Sequence, residues 1–292
     1  MNEIYLQLRE EARNIVASLP LPQFYQQFQR EIDYSRQMLN SHPMLVKIKE
    51  EITPLIEDDF GHGMRHSDLV CIDAGAIVQI EIQNQESSKL SSQSSQIKEN
   101  ENSDIVIKSN IKIETSKIEQ ILLVQVAGLL HDIKRKEKHH SAEGAKFAKI
   151  FLSDGKYPLT EEDIEIVCCA INEHEAFQKK QEDQEKIMGN GNILSDKNQN
   201  KSLISNALYD ADKFRWGPDN FTHTVWDMVM FSKAPIYEFI KRYPIGMNAL
   251  EQIKSTFRTE TGKLYGPNFI NIGIEIGNRL FKVIEKLNLT PD

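Results

Sequence analysis

Histidine and aspartate side chains recur in four short segments that are well separated along the chain. His131 and Asp132 stand side by side at the end of the apolar run "ILLVQVAGLL". Imidazole nitrogens and carboxylate oxygens together suit a divalent first-row metal ion and require no thiolate ligand. The residue types therefore predict a metal site, with Mn, Mg, Fe, Co, Ni or Zn as the ion. The other candidate residues are His62, His66, His139, His140, His174, Asp210 and Asp212.

Two ions can share this set of ligands. His131 and Asp132 are adjacent and cannot occupy one face of a helix, but at a helix end both side chains can converge on one ion. The remaining histidines would then hold a second ion, with Asp132 bridging the pair. Two metal ions ~3.5–4 Å apart polarise a phosphoryl group and supply a hydroxide as nucleophile. The sequence thus predicts one or two ions per chain, in an arrangement that suits chemistry at a phosphoryl group.

Neighbouring residues compete for some of the ligand positions. His140 is favoured over His139 because it has the spacing "HxxxGA" to a following Gly-Ala pair. His174 lies on the apolar stripe of its helix, which predicts an inward side chain. Asp210 and Asp212 flank the apolar stripe of their own helix, and helical geometry alone slightly favours Asp210 as the ligand.

Cationic residues flank the candidate ligands. Lys134, Arg135 and Lys213 are close to them in sequence and can neutralise phosphate oxygens, although a solvated positive surface is the alternative. The residues predicted to take part in catalysis are Asp132, Lys134 and Lys213. The residues predicted to lie behind the ligands and hold them in place are His62, Glu173 and Asp210.

Composition limits the class of protein. The chain of 292 residues is 40% apolar and 27% charged, and its net charge is −8. Such values are typical of a globular protein, and the acidic charge argues against sequence-independent binding of nucleic acid. The N-terminus lacks the apolar core of a signal peptide, and "ILLVQVAGLL" is too short to span a bilayer. With three cysteines and no CxxC spacing, we expect a cytoplasmic protein without membrane contact. The oligomeric state stays open, a homodimer included.

Helical periodicity accounts for nearly every patterned segment, which predicts an all-α fold. Apolar residues recur at three and four positions in "YLQLREEARNIVASL", "SAEGAKFAKIFL" and "FINIGIEIGNRLFKVIEKL". Thr160 and Asp163 have the spacing of a capping box at the start of a helix. The segment "DIVIKSNIKIE" is the nearest to a strand pattern, and "KLYGPNF" near Tyr265 predicts a surface turn.

Two polar stretches interrupt the helical pattern. Residues 84–116 and 178–202 are predicted to be surface loops, because they cannot bury enough apolar surface to offset the cost of ordering them. Both lie within a central domain at residues 51–216 that contains every candidate ligand. We expect the helices of residues 1–50 to pack on this core. Residues 217–292 are expected to form a helical extension that completes a wall of the site or a dimer surface.

The candidate segments resemble the motifs of the HD-domain superfamily of metal-dependent phosphohydrolases. The matching stretches are "GHGMRHSDLV", "AGLLHDIKR", "HHSAEGA", "AINEHE" and "LYDADKF", from Gly61 to Phe214, about half the chain. The resemblance implies an HD-type helical bundle with additional helices at both ends, and it favours Asp212 over Asp210. It also implies a ligand set for each ion: His66, His131, Asp132 and Asp212 for the first, and His140 and His174 for the second.

The resemblance implies an enzyme that hydrolyses a phosphomonoester or phosphodiester, on a nucleotide-like or other small phosphorylated metabolite. Two alternatives stay open. A di-iron oxygenase would use the same nitrogen and oxygen ligands, and its marks would be tightly bound iron and oxygen-dependent turnover. A non-catalytic sensor would keep the bundle and bind a ligand without turnover.

Overall fold

The chain is helical throughout the part that the structure describes. The structure is a computed structural model, and it describes residues 3–56, 61–93, 103–176 and 196–287. These residues form twelve α-helices and no strand, which confirms the prediction of an all-α fold. The helices are α1 (Glu3–Ala17), α2 (Gln23–Gln27), α3 (Gln29–Ser41), α4 (Pro43–Ile52), α5 (Met64–Gln93), α6 (Ser103–Leu130), α7 (His140–Leu152), α8 (Glu161–Asn172), α9 (Asp196–Phe214), α10 (Val225–Ser232), α11 (Ile236–Ile253) and α12 (Glu260–Lys286).

The apolar run at the end of α6 lies at the centre of the bundle. Helix α6 packs against α5, α8 and α9, and the side chains from Ile121 to Leu130 are buried with the exception of half-buried Leu122. Gln125 interrupts this run, and its amide nitrogen donates to the Ser35 carbonyl oxygen at 2.8 Å. The buried amide nitrogen therefore has a partner, as a buried donor requires, whereas the Gln125 amide oxygen has none among the described residues. None of the described helices is long and apolar enough to cross a membrane.

The prediction of a loop at residues 84–116 is wrong for the part that the structure describes. Helix α5 continues to Gln93 and α6 begins at Ser103, so the strand-like segment "DIVIKSNIKIE" is helical too. Once a buried turn has nucleated a helix, each further residue adds one backbone hydrogen bond, which lets polar residues extend it. In the second polar stretch, residues 178–195 lie outside the described residues, and residues 196–202 belong to α9.

Of two local structures predicted from the sequence, a helix cap is confirmed and a surface turn is wrong. The capping box is present, because Thr160 Oγ1 accepts from the Asp163 amide while the Asp163 carboxylate accepts from the Thr160 amide. The surface turn predicted near Tyr265 is wrong, because this segment lies inside α12. Gly266 serves close packing there: a Cβ atom at this position would lie 2.4 Å from the ring of Phe257.

Aromatic packing fixes the N-terminal helices to the rest of the bundle. Helix α1 packs against α12, and α3 packs against α5. Phe24 of α2 is fully buried against two other helices, α9 and α12. The centroid of its ring lies 5.2 Å from that of Phe214 and 6.2 Å from those of Tyr265 and Phe269. Because α9 also carries candidate ligands, this cluster ties the N-terminal segment to the element that supports the site.

We therefore expect Phe24→Ala to lower the free energy of unfolding by about 3–5 kcal/mol, the usual cost of removing a buried phenyl ring. Leu21→Ala is the matched control, because Leu21 is 68% exposed and its loss should change stability by less than about 0.5 kcal/mol. Denaturant unfolding followed by circular dichroism measures both changes. Equal stability of the two variants would show that α2 does not share the core.

Candidate metal centre

Two helix ends bring the candidate ligands of the central motif together. Helix α6 ends at Leu130, and His131 and Asp132 occupy the turn that follows it. His139 is exposed and has a left-handed backbone conformation with φ of 59°, which turns the chain into α7. His140 is therefore the first residue of α7, and its side chain is buried while that of His139 is not.

The glycine of the "HxxxGA" spacing permits this close approach. A Cβ atom on Gly144 would lie 3.3 Å from both the His131 carbonyl oxygen and the Ile171 side chain. Such contacts are tighter than ordinary van der Waals packing, so a larger residue would push α7 away from α6 and α8. Gly144 thus keeps His140 within reach of the residues at the end of α6.

His66, His131 and Asp212 form one buried group. The two Nε2 atoms of the histidines lie 3.2 Å apart, and His66 Nε2 lies 3.2 Å from Asp212 Oδ1. His131 Nε2 lies 4.0 Å from the same oxygen. Each residue comes from a different helix or helix end, so the group exists only after α5, α6 and α9 have packed.

Asp132 lies between this group and a second one made of His140 and His174. Its Oδ2 atom lies 3.4 Å from His131 Nε2 and 3.7 Å from His66 Nε2. Its Oδ1 atom lies 3.5 Å from both His140 Nε2 and His174 Nε2. Oδ1 is buried and has no hydrogen-bond partner among the described residues. A buried carboxylate oxygen without a hydrogen-bond donor is the arrangement expected of a ligand to a cation.

Hydrogen bonds at Nδ1 orient three of the four imidazoles. His131 and His174 each have Nδ1 against the carbonyl oxygen three residues earlier, at 2.8 Å and 2.6 Å. His140 has Nδ1 against Glu175 Oε1 at 2.7 Å. Because carbonyl and carboxylate oxygens only accept, these contacts place a proton on Nδ1 and turn the Nε2 side of each ring toward Asp132.

The two carboxylates are held in the ionised form. Burial would by itself raise the pKa of Asp132 and of Asp212. For each carboxylate the lowering contributions together outweigh burial, so both pKa values fall well below the usual range. They come from His131, His174 and Arg135 for Asp132, and from Lys213, His66 and His131 for Asp212. Both side chains are therefore anionic at neutral pH, which is the form that binds a metal ion.

The histidines differ in the charge that their surroundings favour. Burial lowers the pKa of His66 and lowers that of His140 to about 4, so both rings are neutral near pH 7. Burial acts in the same direction on His131, but the adjacent Asp132 carboxylate outweighs it and raises the pKa of His131. Metal binding must therefore displace a proton from His131.

The donor set fits a pair of divalent ions. Three overlapping groups of ligand atoms, each with its members within 4.8 Å of one another, can hold a metal ion. All three groups supply nitrogen and oxygen donors from imidazole and carboxylate, which suits the first-row ions. The groups are His66–His131–Asp212, Asp132–His140–His174 and His62–His66–Asp132. Asp132 and His66 each belong to two of them.

The residues predicted to support the ligands lie at different distances from them. The His62 ring lies 4.8 Å from that of His66, and His62 shares one of the three candidate groups with His66 and Asp132. Asp210 does not support Asp212; its carboxylate accepts from the Arg258 and Thr259 amides at 2.8 Å and so holds Thr259, the N-cap residue of α12, in place. Burial raises the pKa of Asp210 to about 6. Because the two aspartates leave α9 in different directions, only Asp212 reaches the metal group.

Glu173 acts on the backbone that precedes His174. Its carboxylate accepts a hydrogen bond from the hydroxyl of Ser205, and its carbonyl oxygen accepts from Arg258 Nη1 at 3.0 Å. These bonds attach the end of α8 to α9 and to the start of α12. Glu173 thus holds the segment that carries His174 without touching the ligand cluster itself.

The cations near the cluster are Lys213 and Arg135. Lys213 is buried and forms an ion pair with Asp212. Arg135 Nη1 lies 2.9 Å from His140 Nε2 and 3.8 Å from Asp132 Oδ1. The role predicted for Lys134 is not supported, because its Nζ atom pairs with Glu137 at 3.1 Å on the outer side of the turn. Consecutive side chains in a turn point in different directions, so only Arg135 reaches the ligands.

Glu175 orients His140, and the sequence patterns did not identify this residue. The residue directly follows His174 in "NEHE", yet its contact with His140 joins the loop after α8 to the start of α7. Contacts between distant segments have no local pattern in the sequence. The available signal was an acidic residue beside a candidate ligand, since such residues often orient metal-binding histidines.

The chain matches no protein-family model, no curated protein and no solved structure. The similarity of its motifs to the HD-domain superfamily therefore remains a prediction. The structure itself shows a buried cluster of four histidines and two aspartates that can hold metal ions.

Asp212→Asn should lose about one equivalent of bound metal per chain, because the substitution removes a charged ligand from the group with His66 and His131. Asp210→Asn is the matched control on the same helix. It should keep the full metal content while losing about 1–3 kcal/mol of stability, since it weakens the cap of α12. Elemental analysis and denaturant unfolding measure the two properties. Equal metal loss in both variants would contradict the assignment of Asp212.

Metal affinity should increase as the pH rises from 6.5, the ordinary pKa of histidine, through the higher pKa of His131, because its proton competes with the metal ion until it is lost. Asp132 and Asp212 are already ionised at these pH values and add no dependence. Calorimetric titration with Mn²⁺ in buffers of different ionisation enthalpy measures both the affinity and the proton release. An affinity that does not change with pH would contradict the role of His131.

Proposed function

We propose that this chain is a metal-dependent phosphohydrolase of the HD-domain type, acting on a phosphomonoester or phosphodiester. The observation that carries the proposal is the position of Asp132, whose two oxygens face separate groups of buried nitrogen and oxygen donors. Divalent ions held by these groups would polarise a phosphoryl group and supply a hydroxide nucleophile. The reaction would consume one water and release the phosphate from its alcohol.

The surroundings of the cluster support an anionic substrate. A cavity of about 750 Å³ opens onto the ligands His66, Asp132, His174 and Asp212. Arg135 and Lys213 line the cavity at the same end. Positive side chains beside buried ligands can neutralise phosphate oxygens and the charge that develops as the ester bond breaks.

The roles of the chain's own residues follow from these contacts. Arg135 would bind a phosphate oxygen, since its guanidinium already reaches both Asp132 and His140. Lys213 would hold Asp212 in place through their ion pair and contribute positive charge to the pocket. The Nδ1 contacts of His131 and His174 keep the rings from turning, so the ligand atoms are preorganised.

Phosphate release from a panel of phosphomonoesters and phosphodiesters tests the proposal. The full chain is stripped with chelator, reloaded separately with each divalent ion, and compared with Asp132→Ala. We expect turnover with at least one ion and none in the variant. Turnover that requires bound iron and oxygen would instead indicate an oxygenase, and ligand binding without any turnover would indicate a sensor.

Arg135→Ala should reduce kcat/KM for a phosphate ester by about 10- to 100-fold, the usual cost of losing a charged contact to a phosphate. Lys134→Ala is the matched control, since the neighbouring lysine pairs with Glu137 outside the pocket, and it should stay within about twofold of wild type. Metal content is measured in parallel. A larger loss for Lys134→Ala than for Arg135→Ala would contradict the assignment.

A further inference from the structure

The cavity at the metal centre has two ends of opposite character. The polar end carries the metal ligands together with Arg135 and Lys213. The other end lies between α10, α11 and the segment that follows α9. Its walls are apolar and are formed by Trp216, Phe221, Met228, Phe239, Met247 and Leu250. Hydrolysis at the metal ligands would involve only the polar end, so the apolar end must have another role in binding.

The apolar end offers few hydrogen bonds to a ligand. The Tyr243 hydroxyl donates to the Gly277 carbonyl oxygen at 2.8 Å and is therefore already engaged. Among the described residues that line the cavity, Asn220 supplies the one side-chain amide. Arg242 lies at the rim, with 79% of its side chain exposed. Apart from these groups, the lining offers the Thr224 hydroxyl and the Trp216 indole nitrogen. A nucleobase has several polar groups on its edge, and some would be left without partners between the apolar walls, which is costly.

We infer that the substrate is a phosphate ester of an apolar alcohol, with the phosphate at the metal ligands and the hydrocarbon or aromatic part between α10 and α11. This inference rests on the proposed function and names the substrate class for the same site. Burial of hydrocarbon against six apolar side chains would supply binding energy, and Arg135 and Lys213 would complement the anionic head.

The size and opening of the cavity agree with this class. A volume of about 750 Å³ lies in the range that accommodates drug-sized ligands and exceeds the needs of a short phosphorylated metabolite. Met228 is 40% exposed although it lines the cavity. Gly246 also lines the cavity, and an added Cβ atom would meet no heavy atom within 4 Å. An apolar chain can therefore enter past these residues.

Binding of n-alkyl phosphonates to the Mn²⁺-loaded full chain tests the inference. Phosphonates keep the anionic head and resist hydrolysis, so calorimetry reports affinity independently of turnover. From ethyl through butyl and hexyl to octyl phosphonate, we expect the affinity to rise about two- to fourfold per methylene. A nucleoside 5′-phosphonate should bind no more tightly than ethyl phosphonate.

Variants that fill the apolar end provide the second measurement. Gly246→Leu and Ala249→Phe each add a side chain at the cavity wall, and leucine is the better helix former than glycine. We expect each variant to reduce the advantage of octyl over ethyl phosphonate by at least about tenfold and to leave the affinity for ethyl phosphonate unchanged. Asn248→Leu is the control, because Asn248 is exposed on the same helix and does not line the cavity.

The outcomes separate this inference from the proposed function. Affinity independent of chain length, or tighter binding of the nucleoside phosphonate, would overturn the inference even if the chain hydrolyses phosphate esters. Undetectable binding of every phosphonate would overturn it as well. Affinity that rises with chain length, without phosphate release from octyl phosphate, would support an amphiphilic ligand and show that the proposed hydrolysis is wrong.

Discussion

A single buried carboxylate, that of Asp132, organises the site. Four imidazoles surround it within 3.7 Å, and its Oδ1 atom has no hydrogen-bond partner among the described residues. An ionised carboxylate is costly to bury unless positive charge compensates it. His131 and Arg135 supply part of that compensation in the protein alone. Bound cations on both sides would supply the rest, which is why the cluster is best explained as a metal centre.

A second buried charge network fixes the element that carries Asp212. Arg215 follows the end of α9, and its guanidinium contacts Asp73 of α5, Asp219 and the Tyr25 hydroxyl. Burial raises the pKa of Asp73 to about 6 even though Arg215 acts in the opposite direction. These contacts tie α9 to α5, the helix that carries His66, and to the N-terminal α2. The distance between His66 and Asp212 therefore depends on residues far from the site in sequence.

Much of this site was predictable because its signals are local. Helix periodicity, the capping box and the segments "LLHDI" and "HxxxGA" each depend on residues that are close in sequence, and the structure places His66, His131, His140, His174 and Asp212 around Asp132. The expectations that failed concern side-chain direction and helix ends. The contacts of Asp210 with the Arg258 and Thr259 amides join segments that are far apart in sequence. The direction of Lys134 depends on the turn after α6, and the first polar stretch extends α5 and α6.

The two ends of the cavity are built by different parts of the sequence. Its polar end is built by residues that the motifs identified, whereas its apolar end is built by α10 and α11, where the sequence carries no motif. A helix that is apolar on most sides, such as α10 with "VWDMVMFS", usually serves the core. Here Met228 and Val225 of the same helix face the cavity, which turns part of the core into a binding surface.

The proposed metal centre would hold one ion on each side of Asp132, and anomalous scattering from crystals grown with Mn²⁺ tests this most directly. We expect two peaks ~3.5–4 Å apart, one beside His66, His131 and Asp212 and the other beside His140 and His174, with one oxygen of Asp132 directed at each. An absence of anomalous density in the cluster, or density that Asp132 does not contact, would contradict the account.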